Sequence, residues 1–356
     1  MHPAHTCLVT GGAGYVGAVV VDHLLRAGHG VRVLDRVAAP VWAAQAPDVY
    51  LHGDIRDTRL VATACAGADI VVHCVAHVPL HRDLAEMYSV NVEGTRVLLA
   101  AAQAANVAKV VAVSSSAVLG IPDRPIVTED APVRPMDPYG EAKAHAEALC
   151  REHAARGLDV TVVRPRTVVG PGRLGIFQIL FEWLAQGRDL PVLGGGRNVY
   201  QFVHGADLAD AISRAARRPG PETYHVGAPE PTTMTEALTA LAQHAGTGSR
   251  VVSLPRRPAE WAMRATSRLG LSPLGAYHAL MYGRSLAFDT AKARRELGWT
   301  PACDNHALLA DAYDAYLRDR AVVLASGGGS VHRSPVRQGV LAWLPRVLAV
   351  LPAVRP

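Results

Sequence analysis

Val9-Thr10-Gly11-Gly12-Ala13-Gly14-Tyr15-Val16-Gly17 decides how this chain is read. An apolar run over residues 6–10 leads straight into it, and a small-residue, apolar stretch over residues 15–27 follows, so the glycines stand between a buried strand and a helix. Gly11 and Gly14 let the backbone approach a pyrophosphate, and Gly17 lets the helix lie close to the strand. The amides that open the helix then face the phosphates. The spacing is Gly-x-x-Gly-x-x-Gly, a variant of Gly-x-Gly-x-x-Gly. Alone it also fits an ordinary strand-helix turn; its place behind an apolar strand favours a dinucleotide.

Further strands are expected at residues 31–34, 49–51, 70–73, 110–113 and 160–163, separated by alanine-rich helical stretches such as 90–105 and 142–155. This alternation predicts an α/β fold, a Rossmann-like doubly wound parallel sheet with a smaller mixed α/β substrate domain. Residues 1–165 form the predominantly dinucleotide-binding part. After Pro165 the rhythm changes to a turn at Gly170-Pro171-Gly172, a helix at 176–184 and a break at Gly194-Gly195-Gly196. Residues 166–320 are therefore read as predominantly substrate-binding, with strands returning to the sheet near 201–204 and 223–226. Residues 321–356 hold a spacer, Ser326-Gly327-Gly328-Gly329-Ser330, and an apolar tail. Arg337, Arg346, Pro345 and Pro352 interrupt that tail too often for a membrane span. A flexible or packed terminal segment is expected, with weak membrane contact or a partner-binding helix as the alternatives.

The 356 residues, 49% hydrophobic, suffice for a large buried core. Lys and Arg exceed Asp and Glu only 36 to 31, with the signs interspersed, which points to anionic small molecules rather than nucleic acid. Five scattered cysteines without a Cys-x-x-Cys read as reduced, mostly buried thiols of a cytoplasmic protein. No charged, signal-like apolar segment precedes the glycine turn, so cleavable export is not expected.

Asp35 closes the second strand at the distance where an acid accepts hydrogen bonds from adenosine ribose hydroxyls and repels a 2′-phosphate, which selects NAD. Arg36, its neighbour, is the residue that would offer a compensating charge. Asp54 and Ile55 follow the third strand and suit the adenine amino group and ring; the other reading is a surface turn in which Asp57 caps a helix. Tyr139 and Lys143, four apart, share one helix face. A phenol near its ordinary pKa is a poor base, and an adjacent ammonium corrects that. Ser114-Ser115-Ser116 follows the strand 110–113 and places hydroxyls at the carboxyl edge of the sheet, where they can bind a reacting oxygen.

These motifs resemble the extended short-chain dehydrogenase/reductase family, in particular its NAD-dependent nucleotide-sugar epimerases and dehydratases, UDP-glucose 4-epimerases among them. The likeness runs over about residues 6–318 and includes Pro138-Tyr139-Gly140-x-x-Lys143, Phe202-Val203-His204-x-x-Asp207-Leu208 and Phe288-Asp289-x-x-Lys292. It implies Tyr139 as acid/base, Lys143 as cofactor ribose ligand and tyrosine activator, and Ser115 or Ser116 as the substrate-orienting hydroxyl. It implies that Gly11, Gly14, Tyr15, Val16, Gly17, Asp35, Arg36, Asp54, Ile55, Cys74, Val75, Ala76, Asn91, Tyr139, Lys143 and Arg166 serve NAD. On the substrate side it implies Thr167, Arg173, Gln201 and Arg284 with the two serines, no metal, a nucleotide-diphosphate sugar as partner, and a homodimer.

The reaction so implied is 4-epimerisation of a nucleotide sugar: transient oxidation at C4, rotation of the keto sugar, and reduction on its other face. Elimination across C4 to C6 usually draws on an Asp-Glu pair after the hydroxyl residue, and Ser116-Ala117 or Ala117-Val118 stands there instead. Two other departures favour a less polar substrate. Gln201 stands in Tyr200-Gln201-Phe202-Val203-His204 where sugar epimerases often carry arginine and aspartate, and Thr167 replaces a frequent asparagine. With the apolar helix at 176–184 they open the alternative of a hydroxysteroid-like alcohol dehydrogenase, beside that of an NAD-dependent nucleotide-sugar ketoreductase or dehydratase. A noncatalytic NAD-binding protein is the remote reading, given Tyr139 and Lys143. His204 is expected in a structural hydrogen-bond network with Asp207.

Overall fold

In the computed structural model, which describes residues 4–38, 49–77, 83–173, 177–269, 271, 281–325 and 339–354, strand β1 (Thr6–Thr10) is buried on both faces. Cys7 and Val9 point into one apolar layer and Leu8 into the other, as the two-residue period of a strand requires. The same alternation repeats along β2 (Gly30–Asp35), β4 (Ile70–His73), β5 (Lys109–Val113) and β7 (Val160–Pro165), with β3 (Tyr50–His52) at one edge. Helices Tyr15–Arg26 and Gly205–Arg217 cover one face. Thr58–Cys65, Gly94–Ala104 and Pro138–Ala155 cover the other. Near-continuous Val/Ile/Leu runs are what such a doubly covered parallel sheet demands.

The short β6 (Ile126–Val127) and β8 (Thr167–Val169) lie outside that sheet. Later in the chain come β9 (Leu190–Leu193), β10 (Val199–Tyr200), β11 (Phe202–His204), β12 (Glu222–Val226), β13 (Thr232–Thr233), β14 (Val251–Leu254) and β15 (Ala287–Phe288). The seven-stranded sheet has the order β12-β7-β5-β4-β1-β2-β3, every pair parallel. The connections reverse direction between β1 and β4, so a crevice opens beyond their carboxyl ends, where open α/β sheets bind ligands.

Residues 223–226 return to the sheet as expected, inside β12. The stretch 201–204 does not: β11 pairs with β8 in a separate two-stranded parallel ribbon. The reason lies at Tyr200 and Phe202, whose side chains belong to a second core with Phe181, Trp183, Leu238, Tyr313 and Tyr316 rather than to the sheet layers. The expected helix 90–105 opens with a π-helical turn, Ser89–Glu93, before Gly94–Ala104. The helix expected at 176–184 is Phe177–Ala185; Ile176 and the spacer 326–330 lie outside the described residues. The tail is packed. Residues Gly339–Trp343 form a 3-10 turn, Leu344–Leu348 a helix, and the Val354 amide donates to the Val251 carbonyl at 2.8 Å beside β14. No helix among the described residues is long and apolar enough to cross a membrane.

Candidate active site

The glycine turn is shaped by what a side chain would strike. Gly11 has φ +75°, and a Cβ there would lie 2.8 Å from the Val75 amide nitrogen; one on Gly17 would collide with the Gly11 carbonyl oxygen. Gly14 caps the helix Tyr15–Arg26 without a side-chain hydrogen bond, and no acid occupies the first turn. Unpartnered amides at a helix start attract an anion.

Asp35 faces the same groove and is held by two backbone amides, Ala13 N and Val37 N, each at 2.9 Å. Arg36 lines the groove as well and pairs with Glu86 at 3.3 Å. Asp54 and Ile55 line the groove too. Arg56 grips the Asp54 carboxylate and holds it below the usual carboxylate range, while Asp57 caps the helix Thr58–Cys65 and leaves Asp54 on the groove wall.

Cys74, Val75 and Ala76 form the facing wall. Asn91 does not reach the groove. Its side chain accepts from the His77 amide at 2.7 Å and donates to the His77 carbonyl at 3.1 Å, fixing the loop after β4. The π-helical turn that carries it is a distortion often retained at functional sites.

Asp137 and Pro138 explain why the reactive helix begins where it does. The Asp137 carboxylate accepts from the Tyr139 and Gly140 amides at 2.9 and 3.0 Å, and proline suits the first helical position. One turn later Lys143, 4% exposed, donates to the Val113 carbonyl at 2.8 Å. Burial pushes the Lys143 ammonium below its usual value and pushes the Tyr139 phenol above its own. A hydrogen bond with Ser115 and the positive charge of Arg173 oppose that rise, and Asp137 adds to it. Arg173 is thus a cation that favours the phenolate, and Lys143 is anchored on the Val113 carbonyl.

The serines take different jobs. Ser115 pairs with Tyr139; Ser116 accepts from Arg166 at 2.8 Å; Ser114 donates to Glu147 at 2.6 Å, within a buried Glu147–Arg164 ion pair. Arg166, Thr167 and Arg173 all line the cavity, the Thr167 hydroxyl bonded to that of Tyr200 at 2.8 Å. Arg166 Nε and Nη2 are buried without a hydrogen-bond partner beside that space.

Two expected substrate residues are elsewhere. Gln201, 1% exposed, spends its amide on the Ala228 and Phe288 backbone and ties β11 to β15. Arg284 stands off the wall, paired with Glu260 at 3.3 Å. His204 caps the helix Gly205–Arg217 and meets Asp311 at 3.2 Å. Its expected partner Asp207 instead accepts from the Ala302 and Cys303 amides.

The cavity that unites these groups measures about 1240 Å³ and continues past Arg173 into a chamber walled by Phe177, Leu180, Trp183, Leu193, Met281 and Tyr282. Its far side is built from Ala259, Ala262, Met263 and Thr266 of the helix Arg256–Arg268, and from the tail residues Val340, Leu341, Trp343, Leu344 and Val347. These were not anticipated. The signal was present in the small and apolar residues at positions 259, 262 and 263, followed by Thr266, which keep helical spacing.

The parallel sheet, the open helix start and the Ser115-Tyr139-Lys143 group define a dinucleotide-dependent enzyme site of the Rossmann class. The chain belongs to the NAD dependent epimerase/dehydratase family, whose pattern matches residues 7–227, and its cofactor is NAD. It is 46% identical to the uncharacterized protein y4nG of Sinorhizobium fredii, over 98% of this chain and 87% of that one. It is 32% identical to a 4-hydroxy-2-methyl-3-oxo-4-farnesyl-3,4-dihydroquinoline-1-oxide ketoreductase of Stigmatella aurantiaca, over 82% and 90%. Among solved structures it is similar to the dTDP-glucose 4,6-dehydratase DesIV of Streptomyces venezuelae with NAD and TYD bound. That likeness has a TM-score of 0.69 and 31% identity, covering 89% of this chain and 98% of that one.

Proposed function

We propose that this protein is an NAD-dependent oxidoreductase that interconverts a secondary alcohol and its ketone on a bulky, largely apolar molecule. The observation that carries the proposal is the chamber wall. Among the described residues that line it beyond Arg173 there is no Lys, Arg, Asp or Glu, and Glu260 and Arg284 behind the wall are paired with each other. A diphosphate placed against such a wall would lose hydration worth several kcal/mol per charge without a compensating partner. An apolar body burying about 300 Å² there gains roughly 7 kcal/mol.

Bound NAD supplies the acceptor for the carbinol hydride and, when reduced, its donor. In the oxidation direction the alcohol oxygen hydrogen-bonds to Ser115, and its proton passes to Tyr139 Oη as the C–H bond breaks. The carbon becomes a ketone, and one proton leaves with the phenol. In reduction Tyr139 returns that proton to the carbonyl oxygen. Arg173 stabilises the phenolate, and Lys143, held on the Val113 carbonyl, would be the ligand of the cofactor ribose.

The second reading is the nucleotide-sugar 4-epimerase. Family membership and the dehydratase-like fold support it, and the same Tyr139 and Ser115 would serve it; Arg166 and Arg173 would then have to carry the diphosphate. A substrate panel separates the two. Incubation with NAD and apolar secondary alcohols is expected to accumulate NADH and a product lighter by two hydrogens. Isomerisation of a nucleotide sugar at constant mass, with no turnover of any apolar alcohol, would overturn the proposal.

A further inference from the structure

The helix Arg256–Arg268 has two unlike faces. One lines the chamber; the other presents Arg257, Trp261 and Arg264 to solvent, with Trp261 73% exposed. Its acid, Glu260, is turned inward and paired with Arg284, so the outer face carries positive charge alone. The tail repeats the arrangement beside it. The Val340 amide donates to the Leu271 carbonyl at 3.1 Å, bringing the tail against the residues that follow the helix. Leu344 packs on the core and Leu348 is fully buried, while Trp343 is 64% and Val350 82% exposed, with the Arg346 guanidinium 4.4 Å from the Trp343 ring. Among the described tail residues 339–354 the one charged side chain is that of Arg346.

Large apolar side chains grouped on a surface mark an interaction site, and tryptophan interleaved with arginine suits the boundary between lipid headgroups and acyl chains. We infer that this face docks on an anionic lipid surface, placing the adjoining chamber at the membrane so that the substrate enters from the bilayer. The entry route rests on the apolar-substrate function proposed above; the docking does not.

The test uses the full chain without substrate, sedimented with vesicles of phosphatidylcholine alone or of phosphatidylcholine with phosphatidylglycerol. Binding to the anionic vesicles, weakened by salt, with a blue shift of tryptophan emission, is expected. Trp261→Glu, and separately Arg257→Glu with Arg264→Glu, should each weaken partitioning about 10-fold or more. Turnover of a substrate supplied in detergent should stay unchanged. Absence of wild-type binding to anionic vesicles at low salt would overturn the inference, as would wild-type partitioning by both variants. A dimer in sedimentation velocity that Trp261→Glu dissolves, without vesicle binding, would assign the face to a second copy of the chain. Vesicle binding is read without turnover, so failure of docking and failure of the proposed reaction are separate results.

Discussion

Tyr139 is held between opposing influences: burial and Asp137 keep its proton on, Ser115 and Arg173 help it off. Tyr139→Phe should therefore lower kcat by about 100- to 10,000-fold while NAD affinity, measured by fluorescence titration, stays near wild type. Because its phenol is raised, little phenolate exists near neutrality, so alcohol oxidation should accelerate from about pH 7 to about pH 9 while ketone reduction does not. Arg173→Ala removes the favourable charge and should move that oxidation profile further to the alkaline side; an unmoved profile would deny Arg173 its role. Tyr139 and Lys143 were readable from their four-residue spacing. The choice between Ser115 and Ser116 was not, because adjacent hydroxyls are equivalent until Arg166 engages one of them.

At the scale of the element, the helix Arg256–Arg268 and the tail from 339 onward turn an open crevice into a chamber. A chain ending at Ala325 is expected to bind more of a hydrophobic dye and to show a KM for an apolar substrate raised about 10-fold or more, with the seven-stranded sheet intact by circular dichroism. Unchanged KM and dye binding would show that the tail contributes no wall. In the sequence the tail reads as a broken apolar segment, and its packing depends on an edge amide-carbonyl contact with Val251 that no local pattern announces. Gln201 shows the reverse case. A polar residue at a family substrate position is consumed by the Phe288 and Ala228 backbone 87 and 27 residues away.

Across the whole molecule, two histidines are folded in as neutral rings. His73, between the Thr10 and Thr95 hydroxyls, and His225, stacked on Phe288 at 3.9 Å, are both pushed down to about 3, chiefly by burial. The unfolded chain binds those protons near the ordinary histidine value and the native state does not. Stability is thus fully present above that value and declines as pH falls from about 6.5 toward 3, by roughly 2 kcal/mol per ring at about pH 5. Thermal unfolding between those conditions should show the loss, and His225→Gln should reduce it; a flat profile would remove the buried-imidazole argument.

The strand-glycine-helix opening, the parallel alternation, NAD and the tyrosine-lysine pair were all determined by the sequence, because each rests on local periodicity or on spacing within one turn. The tertiary structure alone decided which side chains wall the cavity. Arg284 is withdrawn to Glu260, and β11 leaves the sheet to join a second core. The chamber is closed by apolar side chains drawn from segments about 160 residues apart, Phe177 and Val340 among them. Which side chains share a wall depends on long-range packing, and a one-dimensional pattern carries no record of it.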